Sequence, residues 1–242
     1  LAAISFDHIM PQQRGHKLAG LVADLEQLQQ PAFIMDDLWF IHALNGSLLD
    51  LFGIDPGCSP FLRRWDGWHA IASKFRADSP VRRAHVNTDE VLAPTIVCFL
   101  ENRRTYPLLF TLQMRQLVRK IIDLSEQQGG EFQIWWRQAT SFYLPYHLSS
   151  MARTIMYQGQ PIRVEPSIRS SKEAEIGEGY SARYTLVVWN PSGSDAHEAF
   201  TRICGSASSR TIFYAADFDR RREFHVNDWP EVRAAFEQWM RQ

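Results

Sequence analysis

The side chains that most often bind metals or act as nucleophiles are scattered along this chain. Its eight histidines include no pair three or four residues apart on a predicted helix, which is the spacing that a zinc site needs. Three cysteines, Cys58, Cys98 and Cys204, form no CxxC pair, so reduced thiols are favoured over a zinc or disulfide framework. The motifs of serine hydrolases (GxSxG), P-loop proteins (GxxxxGKS or GxxxxGKT) and zinc proteases (HExxH) are missing. We therefore predict no enzyme activity, no metal and no resident cofactor.

Large aromatic rings are the distinctive chemistry of the sequence, with 8 Trp and 15 Phe among 242 residues. Such rings bury large areas and line both ordinary cores and pockets for apolar ligands. The composition alone is equally compatible with either outcome. We predict a pocket between a helical layer and a sheet, with walls formed by Phe33, Trp39, Trp65, Trp68, Phe75, Phe99, Phe110, Leu186 and Val188. Leu186 and Val188 are assigned to it because alternate residues of a strand share one face.

The first part of the chain predicts a helix followed by a hairpin. Apolar residues recur at intervals of three and four between residues 17 and 30, which is typical of an amphipathic helix, and Pro31 ends it. Two β-prone runs carrying Phe33 and Trp39 then flank a turn at Asp36-Asp37. Asn45 is a favourable N-cap for a short helix that stops at Gly53.

The middle third, residues 59–142, has helical periodicity. One helix is predicted from the spacing of Trp65, Trp68 and Phe75, and a second starts at Thr88 or Asp89. A third helix carries the apolar residues between 108 and 124, and a short fourth one carries Phe132, Trp135 and Trp136.

The last third predicts mainly strands. These lie at residues 152–157, 162–168, 180–189 and 210–215, with residues 169–179 as an exposed acidic loop. Asp195 and Glu198 have the spacing of a capping box for a helix to about Ile203, and a final helix starts near Asn227. The whole pattern predicts an α+β fold, in which helices cover one face of an antiparallel sheet.

The segment from Phe33 to Gly53 resembles the opening of a PAS domain, where a hairpin ends in Asn and runs into a short helix ending in Gly. More narrowly, residues 31–203 resemble the ligand-binding domain of MmyB-like transcription regulators. The features that carry this resemblance follow one another in the order Pro31-Ala32, Trp39, Asn45, Trp65, Trp68, Phe75, Ser79-Pro80-Val81-Arg82, Phe99-Leu100, Arg103-Arg104, Tyr106-Pro107, Glu131-Phe132, Trp135-Trp136 and Pro191-Ser192-Gly193.

The resemblance implies a PAS-like sensor domain over residues 31–242, preceded by an arm and a connector helix in residues 1–30. The implied ligand is small and apolar with a carboxylate tip, such as a fatty acid, and a cation or hydrogen-bond donor would bind its head group. His69, next to Trp68, and Arg183, on the predicted strand of Leu186, are the candidates. His69 also fits a core histidine whose hydrogen bonds are satisfied.

Two other classes of function stay open at this point. A PAS-like interaction or dimerisation module would have a filled core, and an enzyme of unrecognised type would show titratable side chains in a cleft. The amphipathic connector helix needs a partner surface, so a homodimer is an expectation.

The longest apolar run, Val91–Leu100, has about half the length of the ~20-residue helix that spans a membrane. The N-terminal residues show no signal peptide. We therefore expect a cytoplasmic protein without a membrane partner.

Charge argues against direct DNA binding by these residues. Lys and Arg number 26, Asp and Glu number 27, and the net charge is -1. We therefore interpret the basic doublets, such as Arg63-Arg64 and Arg82-Arg83, as scattered solvent-exposed charges and not as a surface that contacts phosphates. MmyB-like regulators carry a helix-turn-helix domain ahead of the sensor, and this chain has only one predicted helix before Pro31.

We predict that residues 1–242 alone bind DNA weakly and without sequence preference, because few phosphate contacts release few counterions. Fluorescence anisotropy with random-sequence duplexes at physiological salt measures this affinity. Sequence-selective binding by the isolated chain would contradict the prediction.

Overall fold

The computed structural model describes residues 20–36, 38–57, 59–76, 78–86, 88–102, 108–127, 131–141, 152–175 and 181–215. Within them lies an antiparallel sheet with the strand order β3-β4-β5-β1-β2-β6. Its strands are β1 (Ala32–Met35), β2 (Ile41–Asn45), β3 (Arg153–Tyr157), β4 (Gln160–Glu175), β5 (Ser181–Pro191) and β6 (Ile212–Tyr214). The α-helices are α1 (20–26), α2 (Gly46–Leu51), α3 (Pro80–Ala84), α4 (Thr88–Asn102), α5 (Leu108–Glu126), α6 (Glu131–Ser141) and α7 (Ser194–Cys204).

Strands β1 and β2 form the predicted hairpin, but its turn is longer than Asp36-Asp37. The turn runs from Asp36 to Phe40, because one Asp36 carboxylate oxygen accepts from the backbone N–H groups of both Leu38 and Phe40. Trp39 was expected on a strand and instead lies in this turn, with a positive φ of 65°. A non-glycine residue in that region is strained, so the burial of the Trp39 ring must offset the cost.

The buried side chain of Asn45 joins the hairpin to both neighbouring helices. Its amide oxygen accepts from the backbone N–H of Leu48, which confirms the predicted N-cap of α2, and from that of Ala32 at the start of β1. Its amide nitrogen donates to the carbonyls of Leu28 and Gln30 in the segment after α1. Next to it, a Cβ on Gly46 would overlap the Ser208 carbonyl oxygen, so glycine is required at this close approach.

The two faces of the sheet pack against different helices. Alternate side chains of β1 point to opposite faces of the sheet. Phe33 and Met35 belong to the large hydrophobic cluster that includes residues between 59 and 141 and residues of α7. Ile34 faces the other side, where Leu21 and Leu25 of α1 cover the sheet. The apolar stripe of α1 therefore has its partner surface within this chain. The result is the α+β arrangement of sheet and helical layer that the sequence predicted.

Residues 60–74 form three short 3₁₀ turns, Pro60–Arg63, Trp65–Trp68 and Ala72–Lys74, instead of the single helix that the ring spacing predicted. The physical reason is His69, which pairs with Phe40 in an antiparallel bridge and is therefore extended, with φ -129° and ψ 122°. No residue inside a helix adopts that conformation. The helices predicted at 88, at 108–124 and around Phe132 are confirmed as α4, α5 and α6.

Two details of the last third differ from the sequence-based prediction. Residues 169–175 continue β4 instead of forming an exposed loop, because β4 pairs with β5 as far as Glu175 opposite Ser181. Helix α7 has Gly193 as its N-cap, with no side-chain cap and a positive φ of 98°, so Asp195 lies in its first turn and forms no capping box. The predicted strand at 210–215 is confirmed as β6, and the predicted helix near Asn227 lies outside the described residues.

We expect Asn45→Ala to lower the free energy of unfolding by about 3 kcal/mol or more, since it removes a cap worth about 1 kcal/mol and leaves buried backbone groups without partners. Ser79→Ala is the matched control, because Ser79 is equally buried but caps α3 through one hydrogen bond to Arg82. The control should cost about 1 kcal/mol. Urea unfolding measures both, and equal losses would contradict the assignment of Asn45 as a junction.

Candidate functional site

Most of the rings predicted to line a pocket meet in one cluster on the helical side of the sheet. Phe33, Trp39, Trp68, Phe75 and Phe99 are buried there, and Trp65 packs against them half-buried. The rings of Trp39 and Phe99 meet edge to face with centroids 5.6 Å apart. The structure therefore brings together rings from the hairpin turn, the 3₁₀ segment and α4.

Leu186 and Val188 do not share this space. Both lie on the opposite face of β5, in the cluster formed with α1. The helical side receives Val187 and Trp189 instead. Side chains of β5 alternate between the two faces, as predicted, but the residues on the ring side are the odd-numbered ones and not Leu186 and Val188. A two-residue period shows which side chains share a face, but not which face meets the helical layer.

His69 is a core residue rather than a donor at a pocket rim. It is fully buried, its Nε2–H donates to the Leu38 carbonyl at 2.8 Å, and its Nδ1 accepts from the backbone N–H groups of Ile71 and Ala72. Burial lowers the pKa of this imidazole to about 3. A neutral, fully hydrogen-bonded ring serves to hold the 3₁₀ segment against the hairpin.

The other two predicted site residues are Arg183 and Phe110. Arg183 is half-buried on β5, opposite Glu173 of β4 in the strand register. Phe110 belongs to α5, but its side chain lies outside the described part of the structure.

The structure shows a group of buried cations that the sequence analysis missed. Arg153 begins β3, is 2% exposed, and shares the ring-lined face of the sheet with Ile155 and Tyr157. Its guanidinium carbon lies 5.5 Å from the centroid of the Trp189 ring. Burial lowers the pKa of the Arg153 guanidinium to about 10, and interaction with the Cys98 thiol acts in the opposite direction.

Lys74 and His85 both interact electrostatically with Arg153. Lys74 ends the last 3₁₀ turn and is buried, and both burial and the Arg153 charge hold the pKa of its ammonium well below its usual range. His85 follows α3 and bridges to Ile155 of β3, and its ring stacks on Phe52. Burial and the charges of Lys74 and Arg153 lower the pKa of His85 as well.

The hydrogen-bonding capacity of this buried group is not used up. Among the described residues, the Nε and Nη1 atoms of Arg153 and the Trp189 indole nitrogen are buried and have no hydrogen-bond partner. In the described part of the chain, no carboxylate forms an ion pair with Arg153 or Lys74. We call Lys74, Arg153 and Trp189 the donor group. Buried charges in proteins are normally paired, so this arrangement is unusual.

Part of this group could have been found in the sequence. Arg153, Ile155 and Tyr157 are spaced by two on a predicted strand, which places the arginine on the apolar face. Lys74 lies between the apolar pair Ile71-Ala72 and Phe75. Neither residue type is usually buried, so composition-based reasoning assigns both to solvent.

A separate cleft of about 520 Å³ opens to solvent on the outer side of the helical layer. It is lined mainly by charged residues: Arg63, Arg64, Asp66, Arg76, Lys120 and Asp123. Arg64 donates to both carboxylate oxygens of Asp66 at 3.0 Å, and Arg76 lies 3.4 Å from the same carboxylate. This cleft is polar and open, unlike the apolar internal pocket predicted from the sequence.

The described residues contain no group of three or more metal-ligating His, Cys, Asp or Glu side chains. Among the helices that the structure describes, none has the length and apolar character needed to cross a membrane.

No protein-family model matches this sequence, and no curated protein matches it. Among solved structures, the chain is similar to the PAS domain of BvgS from Bordetella pertussis, with 8% sequence identity and a TM-score of 0.32. That alignment covers 77% of this chain and 94% of the BvgS domain chain. The narrower resemblance to MmyB-like regulators stays a prediction from the sequence.

The buried state of His69 predicts acid sensitivity. Its pKa in the folded protein is about 3, below the ordinary 6.5, so the stability it contributes is present at neutral pH and is lost as pH falls from 6.5 toward 3. Titration of this single group changes the free energy of unfolding by about 1.4 kcal/mol per pH unit in that window.

His69→Asn and His69→Gln each retain one of the ring's hydrogen-bonding positions and do not titrate. Both variants should flatten the loss of stability between pH 6 and pH 4 by the same amount, although their stabilities at pH 7 differ. Urea unfolding at several pH values measures these slopes. Slopes as steep as the wild type would show that His69 does not carry the acid sensitivity.

Proposed function

We propose that this chain is the sensor module of a transcription regulator, and that it binds a small apolar molecule of the fatty-acid type between the helical layer and the sheet. In this proposal the module is not an enzyme, and DNA is bound by a helix-turn-helix segment outside residues 1–242. The proposal combines the sequence resemblance with the arrangement of the core.

The observation that carries the proposal is the convergence of rings from different segments on one face of the sheet. Trp39 comes from the hairpin turn, Trp68 from the 3₁₀ segment, Phe99 from α4 and Trp189 from β5. Apolar surface buried by a ligand in such surroundings contributes about 25 cal/mol per Å². Ligand sites of this kind are mostly apolar with a few polar groups that fix orientation, and the donor group supplies polar atoms in the same layer.

The other face of the sheet offers a route for the signal. Helix α1 packs there on Ile34 and Leu186, and Asn45 binds the carbonyls of Leu28 and Gln30 just after it. A ligand that favours one packing of the ring cluster would shift the population of sheet and hairpin conformations. Through Asn45, such a shift would reach the segment that leads toward the N-terminus.

The test uses a pair of neighbouring substitutions on β5. Val187→Phe enlarges a buried residue on the ring side, whereas Val188→Phe enlarges one on the α1 side, and each adds a similar overpacking cost of about 1–3 kcal/mol. We expect Val187→Phe to weaken uptake of dodecanoate at least tenfold and Val188→Phe to leave it within twofold of the wild type. Titration calorimetry on delipidated protein measures uptake, and thermal melts verify that each variant is folded.

Native mass spectrometry of freshly purified protein gives an independent readout. A co-purified small molecule, lost in Val187→Phe and retained in Val188→Phe, is the expected result. The proposal would be contradicted if the wild-type chain carried no co-purified ligand and bound no C12–C18 fatty acid. That result would favour an interaction module with a filled core.

A further inference from the structure

The donor group has an excess of positive charge and of hydrogen-bond donors in an apolar core. Arg153 is 2% exposed and Lys74 is 7% exposed, and no described residue accepts from two of the guanidinium nitrogens or from the Trp189 indole nitrogen. Leaving a buried charge uncompensated is strongly destabilising, and so is burying an N–H group without an acceptor. An anion with acceptor oxygens would balance the Arg153 charge and accept from these N–H groups at the same time.

We propose that Arg153 and Lys74 bind the acidic group of the ligand, and that this group is a carboxylate at the end of an apolar molecule. This inference rests on the proposed function and assigns the head-group site within it. It replaces His69 and Arg183, the candidates taken from the sequence, by residues that flank the ring cluster from the sheet and from the 3₁₀ segment.

The surroundings favour a carboxylate with an apolar body over a free inorganic anion. The Trp189 ring lies against the Arg153 guanidinium, and the rings of Phe52 and His85 pack on each other and on Trp189. These rings cannot solvate a multiply charged anion such as phosphate, whereas one carboxylate balances one guanidinium. The same apolar walls contact the hydrocarbon part of the ligand.

Electrostatics in the ligand-free chain agree with this assignment. The charges of Arg153 and Lys74 repel each other, and burial opposes both, so the neutral form of Lys74 is favoured. A carboxylate placed between them reverses this balance, because an opposite charge stabilises the protonated ammonium. Charge-assisted hydrogen bonds to guanidinium and ammonium groups are the strong ones in proteins.

The experiment compares an acid and a neutral alcohol of equal chain length on the full chain. Dodecanoate and 1-dodecanol are titrated into delipidated wild type, Arg153→Met and Lys74→Met at pH 7. We expect wild type to bind dodecanoate at least tenfold more tightly than 1-dodecanol. Each variant should lose at least tenfold in affinity for dodecanoate and keep its affinity for 1-dodecanol within twofold.

Arg163→Met is the matched control, since Arg163 lies exposed on the neighbouring strand β4 opposite Thr154. It should leave both affinities unchanged. A second readout needs no ligand: Arg153→Met removes an unpaired buried charge, so the melting temperature of the ligand-free variant should equal or exceed that of wild type. A residue whose role is only structural would give a lower melting temperature.

The outcomes separate the two proposals. If dodecanoate and 1-dodecanol bind wild type equally well and Arg153→Met changes neither, the head-group assignment is wrong while the proposed function stands. If neither compound binds, the proposed function is wrong for this ligand class and the assignment falls with it. Selective loss of dodecanoate binding in Arg153→Met and Lys74→Met, with melting temperatures maintained, supports both.

Discussion

The fold depends on one buried amide. Asn45 accepts from the N–H groups of Ala32 and Leu48 and donates to the carbonyls of Leu28 and Gln30, so it joins the segment after α1, the first strand and helix α2 at one point. Because Asn45 is completely buried, water cannot replace any of these bonds. The close approach of Gly46 to Ser208 adds the segment before β6 to the same junction.

From this junction the sheet separates two environments. The face toward α1 is mainly aliphatic, with Leu21, Leu25 and Leu186 in one cluster with the buried Tyr184. The face toward the helical layer holds nearly all the buried rings, and the buried cations as well. We propose that the second, chemically mixed face holds the ligand and that helix α1 on the first face receives the effect of binding.

The mixed face contains two buried histidines whose pKa values are both lowered by burial. His69 is neutral and fully hydrogen-bonded, so it stabilises the irregular 3₁₀ segment at neutral pH. His85 lies beside Lys74 and Arg153, and burial together with their charges holds its pKa well below the usual value, which favours the neutral ring. The first histidine explains how the segment of residues 60–74 is held in place. The second stacks on Phe52 and lies next to the buried cations Lys74 and Arg153.

The sequence by itself determined the elements whose signals are local. The hairpin, the Asn45 cap and helices α4 to α6 follow from strand alternation, cap chemistry and helical periodicity, which act within a few residues. Tertiary structure decided what depends on distant partners. Pairing of Phe40 with His69 replaced a predicted helix by 3₁₀ turns, and the phase of β5 placed Val187 rather than Val188 among the rings. The burial of Arg153 was likewise set by its packing on Trp189, because a charged side chain enters a core only where the surrounding chain encloses it.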